Sequence, residues 1–331
     1  MATYKEIFGT NIEVLASDPA NPVTGQVWYN STDNVVKGAA ATTVGAWATG
    51  GNLNTGRSSL AGSGNGTQTA TLVFGGAAST GPSATTESYN GASWTEVNDL
   101  TTARYGLAGA GTQTLALAFG GNTGASPTPS GDRALTESWN GTSWTEVNDL
   151  NEVKRYPGGN GTQTSALAIG GFNGTVVRAF TESWNGTSWT EVADLNTGRD
   201  AGQSTGADNT TSLFCGGKTA ATNVESWNGT SWTTTTSMNT GREDLGIAGT
   251  KTLALVFGGF TPAITANTEE WNGTSWTETT NMTTARATYN GAGTQSSAIT
   301  GGGLIPPSTR STATEEWTGA GAPLTVTFTD S

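Results

Sequence analysis

The chain has 331 residues, a net charge of −12 and a hydrophobic fraction of only 34%, with 48 Gly and 12 Trp. It contains no His and a single Cys215, which excludes histidine-based catalysis, imidazole metal sites, an internal disulfide and a Cys-rich zinc site. The acidic balance argues against a phosphate-backbone partner, so no nucleic acid is expected. No apolar run approaches the ~18 residues of a membrane-spanning helix, so no membrane insertion is expected either.

Taken in chain order, residues 1–42 differ in composition from the rest and predict a separate attachment segment. The start, Met1 to Phe8, lacks the apolar stretch of a secretory leader. Residues Gly25 to Lys37, GQVWYNSTDNVVK, predict a short hairpin with a polar turn. This segment resembles a short motif, G-x-[IV]-W-Y-N-[ST]-T with a following Lys, of fibre, appendage and head-associated proteins of tailed bacteriophages. The resemblance covers about twenty residues or fewer. It implies docking to other virion proteins through residues 1–42 and a place on the virion surface.

From residue 43 onward the chain repeats. Gly-Gly follows an apolar run at 75–76, 120–121, 170–171, 216–217, 258–259 and 301–302. The segment TESWNGTSWTEV recurs letter for letter at 136–147 and 181–192. Each unit predicts four short strands. In the second these are YGLAGAG from Tyr105, LALAFGG up to Gly121, ALTESW up to Trp139, and a strand from Trp144 after the Asn140-Gly141 hairpin signal. Four strands in each ~40–50-residue unit, with no helical period, predict a β-propeller. The unit ending at Trp317 has no fourth strand after it, whereas Val44–Trp47 is a fourth strand without predecessors. The prediction is an all-β, six-bladed propeller of four-stranded antiparallel blades over 43–320, the last blade closed by that N-terminal strand. Residues 321–331, with LTVTFTD at 324–330, predict one extra strand.

The Gly-Gly, the paired aromatics and a closing Arg in each unit resemble the kelch repeat over about residues 43–319. The aromatic pairs lie closer together than is usual there, and the hairpin of Ser138, Asn140, Gly141, Ser143 and Trp144 is also similar to an Asp-box with Asn in place of Asp. Both resemblances imply a propeller and neither implies a function, because the scaffold carries many.

The aromatic pairs are Trp139 with Trp144, Trp184 with Trp189, Trp227 with Trp232 and Trp271 with Trp276, with Tyr89–Trp94 as a variant and Trp317 paired to Trp47. One pair per unit at a fixed place reads as packing anchors rather than sugar platforms. Arg57, Arg104, Arg155, Arg199, Arg242 and Arg286 close the units. Together with Glu87, Glu137, Glu182, Glu225, Glu270 and Glu316 they read as repeated structural ion pairs; an anion-gripping ring is the alternative. Asp99, Asp149 and Asp194 end fourth strands. Oxygen ligands suit Ca²⁺, but one carboxylate per loop favours turn capping, so no metal and no cofactor is expected.

The loops after the second strands vary in length, and variable loops on a rigid scaffold carry binding. They nominate Arg133, Arg178, Arg310, Phe172 and Phe260 as ligand contacts. Without His, no Ser-His-Asp arrangement exists, and no carboxylate pair stands apart from the repeats. The expectation is a non-enzymatic virion surface protein (fibre, appendage or capsid decoration) whose propeller meets a host-surface glycan or protein. A free bacterial lectin or adhesin is the alternative, and a glycan-cleaving propeller a third.

Overall fold

The computed structural model describes residues 12–20, 23, 25–41, 44–124, 131–219, 221–287, 290–321 and 323–328. They form two compact units, Trp47–Trp317 and a smaller one that joins Met1–Ala46 to Thr318–Ser331.

The larger unit is an all-β propeller. Among the described residues it holds six four-stranded sheets, numbered here one to six in chain order. Sheet two shows the pattern, with strands Tyr105–Gly111, Ala116–Asn122, Thr136–Trp139 and Trp144–Val147. They are antiparallel neighbours in that order, with Trp139 opposite Trp144. Sheet six runs Ala292–Thr294, Ser297–Gly301 and Thr314–Thr318, and its fourth strand is Ala46–Thr49.

Second strands are buried on both faces, because each sheet is sandwiched between two others; Ala116–Asn122 is buried throughout. Fourth strands alternate at the rim: Trp144 is buried while Thr145 and Glu146 face water. The core is a series of inter-sheet layers. Ala61, Leu72 and Phe74 of sheet one meet Leu107, Ala116, Ala118, Trp139 and Trp144 of sheet two. First strands converge so closely that small residues are obligatory. A Cβ on Gly109 would lie 2.4 Å from the Gly62 carbonyl oxygen and 2.6 Å from the Phe74 ring.

Repeated hydrogen bonds join each sheet to its neighbour. The indole N–H of Trp144, Trp189 and Trp232 donates to the hydroxyl of Thr86, Thr136 and Thr181 in the preceding sheet. Trp94 of sheet one reaches Thr314 of sheet six at 2.9 Å. Where Val224 replaces the threonine, the Trp276 indole donates to the Thr236 carbonyl instead. The GTQT turns are explained the same way. The Gln113 and Gln163 amides donate to the carbonyls of Tyr89 and Trp139 in the preceding sheets, and Gln68 donates to that of Trp317 at 2.7 Å. Asp99 and Asp149 accept the backbone N–H of Thr86 and Thr136, so both cap strand starts.

In the smaller unit Glu13–Leu15 runs parallel to Val27–Asn30, which pairs antiparallel with Val35–Ala41. Val35–Ala41 in turn pairs with Pro323–Phe328. The C-terminal strand therefore belongs to the N-terminal sheet rather than forming a third element over 321–331. It supplies the partner that the Val35–Ala41 strand needs on its open edge. The hairpin motif organises this unit around one carboxylate. Asp18 accepts from the Trp28 indole at 3.1 Å, the Asn30 amide at 2.8 Å and the Lys37 ammonium at 2.8 Å. Lys37 also reaches Asp33 at 2.6 Å. Lys37, Asn30 and Trp28 together pull the Asp18 carboxyl down to about 2.

Candidate functional site

The unit-closing cations are internal. Arg57 donates to the carbonyls of Gly75 (2.8 Å) and Thr85 (2.6 Å) and to Glu87 (2.7 Å), with both charged side chains wholly buried. Arg104 meets Glu137 and backbone carbonyls in the same way, whereas Arg199 lies 3.2 Å from Glu225 as an ion pair and packs on the Phe214 ring at 4.8 Å. Burial pulls the pKa of each such arginine down, and its carboxylate opposes that pull. With no guanidinium of this set facing open solvent, an anion-gripping ring of these residues is not what the structure contains.

Four positions shift from the sequence reading. In sheet three the buried cation is Lys154, 2.9 Å from Glu182, and not Arg155. In sheets five and six the partners are Glu269 and Glu315, not Glu270 and Glu316. The sixth Gly-Gly is Gly302-Gly303, because Gly302 is the residue that accepts from Arg286. A row of backbone bonds fixes this register. The N–H of Gly76, Gly121, Gly171, Gly217, Gly259 and Gly303 donates to the carbonyl of Arg104, Lys154, Arg199, Arg242, Arg286 and Arg57, respectively. Each bond runs from one sheet to the next. The two glycines adopt the left-handed region (Gly75 φ +65°, Gly76 φ +103°), which favours Gly.

The aromatic pairs are likewise internal. Trp139, Trp184, Trp227, Trp271 and Trp317 are at most 2% exposed, and Trp47, Trp94, Trp144, Trp189, Trp232 and Trp276 at most 8%. Ring centroids of Trp139 and Trp144 lie 5.4 Å apart, and Phe74 of the preceding sheet meets Trp144 edge-on at 4.9 Å.

Chemistry that does not repeat gathers on the other side of each sheet. There, the residue after the buried cation sits across from the residue after the Gly-Gly. The six pairs are Ser58 with Ala77, Tyr105 with Asn122, Arg155 with Phe172, Asp200 with Lys218, Glu243 with Phe260, and Ala287 with Leu304. One residue further on, Ser59, Tyr156, Ala201 and Asp244 hold positive φ, as does Gly106. Their backbones form a second belt: Gly106 donates to Ser59, Tyr156 to Gly106, Ala201 to Tyr156 and Asp244 to Ala201. Tyr156 also reaches over Gly106, where a Cβ would lie 2.6 Å from its ring, to hydrogen-bond Ser59. Burial, with Tyr105 nearby, pushes the Tyr156 hydroxyl up to about 12.

The charged part of this surface lies on sheets three to five. Arg155 stacks on Phe172 at 4.8 Å and lies 3.6 Å from Asp132. Asp200 is 5% exposed, and its Oδ1 has no hydrogen-bond partner. Burial raises its pKa against the pull of Lys218 and Arg155. Burial also raises that of Glu243, with Asp200 adding to the effect and Lys218 opposing it. Asp244 is pushed up to about 7 by burial and by Glu243. Among the described residues no group of three acidic, Cys or His side chains is placed to hold a metal ion.

The five nominated contacts do not form one cluster. Phe172 is covered by Arg155. Phe260 is 39% exposed and borders an open groove of about 380 Å³ with Lys218, Glu243 and Pro262. Arg178 pairs with Glu152 at 3.2 Å and lies over Phe180. Arg133 donates to the Asp132 carbonyl, and Arg310 is exposed on a small hairpin, Leu304–Ile305 with Thr309–Arg310. Sequence reasoning missed Asp200, Lys218, Glu243 and Tyr156. Their signal was adjacency to the repeat's landmarks, one or two residues past the closing cation or one past the Gly-Gly.

On the opposite side, sheet one carries a longer turn. Its Asn65 amide donates to the Ala207 carbonyl of sheet four at 3.0 Å, crossing the centre. Deeper in, the first strands leave a space of only about 20 Å³ among Gly62, Gly109, Gly159, Gln203, Ser204 and Asn290. That space holds one water at most, whereas at the turn end a groove of about 460 Å³ opens among Asn65, Thr67, Ala207, Gly249, Thr250 and Thr294.

No family model matches this chain, and no curated protein does. Among solved structures, that of YjhT is similar with a TM-score of 0.62 and 12% identity, covering 84% of this chain and 97% of that one. At that identity the likeness is one of fold. No helix of the described residues is long and apolar enough to cross a membrane.

Proposed function

We propose that this is a non-enzymatic virion surface protein of a tailed phage, with a kelch-like propeller that meets a host-surface glycan or protein. The observation that carries the reading is the phage-type motif folded as its own unit. Trp28, Asn30 and Lys37 converge on Asp18, so the motif is a structural kernel. In this reading the small unit is the attachment module, and the side of the propeller that carries the six non-repeating pairs meets the host. Internal ion pairs and tryptophans then serve stability, and the variable side serves recognition.

The test is mass spectrometry of density-purified particles, with peptide counts scaled to the major capsid protein. Banding at a fixed copy ratio supports a virion component. Recovery in the soluble fraction alone refutes it and favours a free lectin.

A glycan-cleaving activity is the second reading, favoured by one observation. Asp200, Glu243 and Asp244 are carboxylates outside the repeat and within electrostatic range of one another. Release of reducing ends from host surface polysaccharide, abolished by Glu243→Gln, would establish it.

A further inference from the structure

We propose that the groove between sheets four and five, walled by Phe260 and Pro262 and floored by Lys218 and Glu243, binds one neutral sugar ring. The inference rests on the reading that this side of the propeller meets the host.

Phe260 and Glu243 are directly opposed and exchange both backbone bonds, Glu243 N–H to Phe260 O at 2.9 Å and Phe260 N–H to Glu243 O at 2.7 Å. Side chains of such a pair leave the ladder on the same face. A carboxylate therefore stands beside an exposed phenyl ring. The groove adds the Lys218 ammonium as donor and the Thr219 and Thr261 hydroxyls as acceptors, their protons donated to the Gly198 and Ala263 carbonyls. An apolar wall with a few convergent donors and acceptors is the chemistry of a polyol ring, which offers a C–H face and a rim of hydroxyls. A volume of about 380 Å³ lies within the ~300–1,000 Å³ of small-ligand sites.

Two further observations sharpen the choice. Asp200 is more than nine-tenths buried, its Oδ1 lacks any donor, and its carboxylate interacts with Lys218 and Glu243, the two charged residues lining the groove. Asp200 backs the groove through Lys218, whose backbone N–H donates to the Asp200 carbonyl at 2.8 Å. The balance of charge is also decisive. The one ammonium lining the groove, Lys218, is matched there by Glu243 and also interacts with Asp200, so an acidic sugar finds no unmatched cation. No other loop-side pair offers the same combination, since Phe172 is already covered by Arg155.

Saturation-transfer NMR on the full chain tests this with glucose, galactose, mannose and N-acetylglucosamine, and with sialic and glucuronic acids as anionic probes. At least one neutral sugar should give a signal, and the acids none. Phe260→Ala should abolish it, Phe260→Trp should retain it, and Glu243→Gln should weaken affinity tenfold or more; unchanged melting of each variant shows that the fold is intact. Silence from all four neutral sugars, equal binding of the acids, or binding that survives Phe260→Ala overturns the proposal. Adsorption of labelled protein to host cells separates the two levels. Adsorption that survives Phe260→Ala removes the groove and leaves the host-contact reading in place. No adsorption of the wild-type protein removes that reading as well.

Discussion

Replacing Arg104 with Met removes four hydrogen bonds at once while keeping the aliphatic stem. The lost partners are the Leu135 carbonyl at 2.7 Å, the Gly120 carbonyl at 3.2 Å, the Ala118 carbonyl at 3.4 Å and Glu137 at 3.1 Å. Glu137 is 1% exposed, and its other carboxylate oxygen keeps only the Thr101 N–H at 2.7 Å. Breaking a buried pair by removing one partner costs about 3–5 kcal/mol, because the remaining charge is stranded. For a unit of this size that is roughly 10 °C in Tm. Differential scanning calorimetry measures it. The double variant R104M/E137Q removes the stranded charge and keeps an acceptor for Thr101, so it should recover at least half of the loss. If R104M moves Tm by about 2 °C or less, or if the double variant melts no higher than R104M alone, the pair does not act as a buried, mutually dependent unit and the reasoning fails.

Thr136→Val leaves the Trp189 indole N–H without its hydroxyl and should cost about 1–3 kcal/mol in urea denaturation, with an unchanged m-value. A null result would mean that Trp189 re-partners as Trp276 does beside Val224. The folded-state pKa of Asp244, about 7, lies above its ordinary value of 3.8, so folding favours the protonated form. Its contribution is intact below about pH 4 and is lost as pH rises through 7, on the order of 4 kcal/mol in all. Asp244→Asn should therefore stabilise the protein at pH 8 and have little effect at pH 4; equal effects at both pH values would refute the assignment. Asp18→Ala should speed amide exchange across Val27–Lys37, since Trp28, Asn30 and Lys37 lose their shared acceptor. Unchanged exchange there would show that the carboxylate does not hold the hairpin. The Asp18 contribution in the native chain is present above pH 4 and disappears as pH falls through about 2.

The repeat period and the strand count per unit were legible because each unit spells out the same local chemistry, a tight Asn-Gly turn between two aromatics and a Gly-Gly after an apolar run. Register was legible less fully. Arg155 is the nearest arginine to the expected place, but it lies 15 residues before Gly170, whereas the buried cation precedes its Gly-Gly by 16 to 18 residues in every unit, as Lys154 does by 16. The same counting selects Glu269, two residues before its Trp271, over Glu270. The partner of Pro323–Phe328 was not legible, because pairing with Val35–Ala41 is a contact across nearly the whole chain that no local pattern encodes. Of the candidate groove, Phe260 was reached through loop variability. Asp200, Lys218 and Glu243 were not, since burial and cross-strand opposition are properties of the folded sheet.

The backbone belts have a consequence for how this surface can change. In both, the side chain takes no part: the bonds run from Gly N–H to carbonyl, or between residues such as Ser59, Gly106 and Ala201. The paired positions sit beside these belts and borrow their rigidity without supplying it. Side chains as different as Ser58, Tyr105, Arg155, Asp200, Glu243 and Ala287 occupy one geometric slot. Of twelve such slots, two on each of six sheets, Ser58, Asn122, Asp200 and Ala287 are buried, and the other eight form a keypad whose letters can be exchanged at little cost to the fold. Randomising them in a display library should yield folded proteins at high frequency and redirect recognition without redesign of the scaffold.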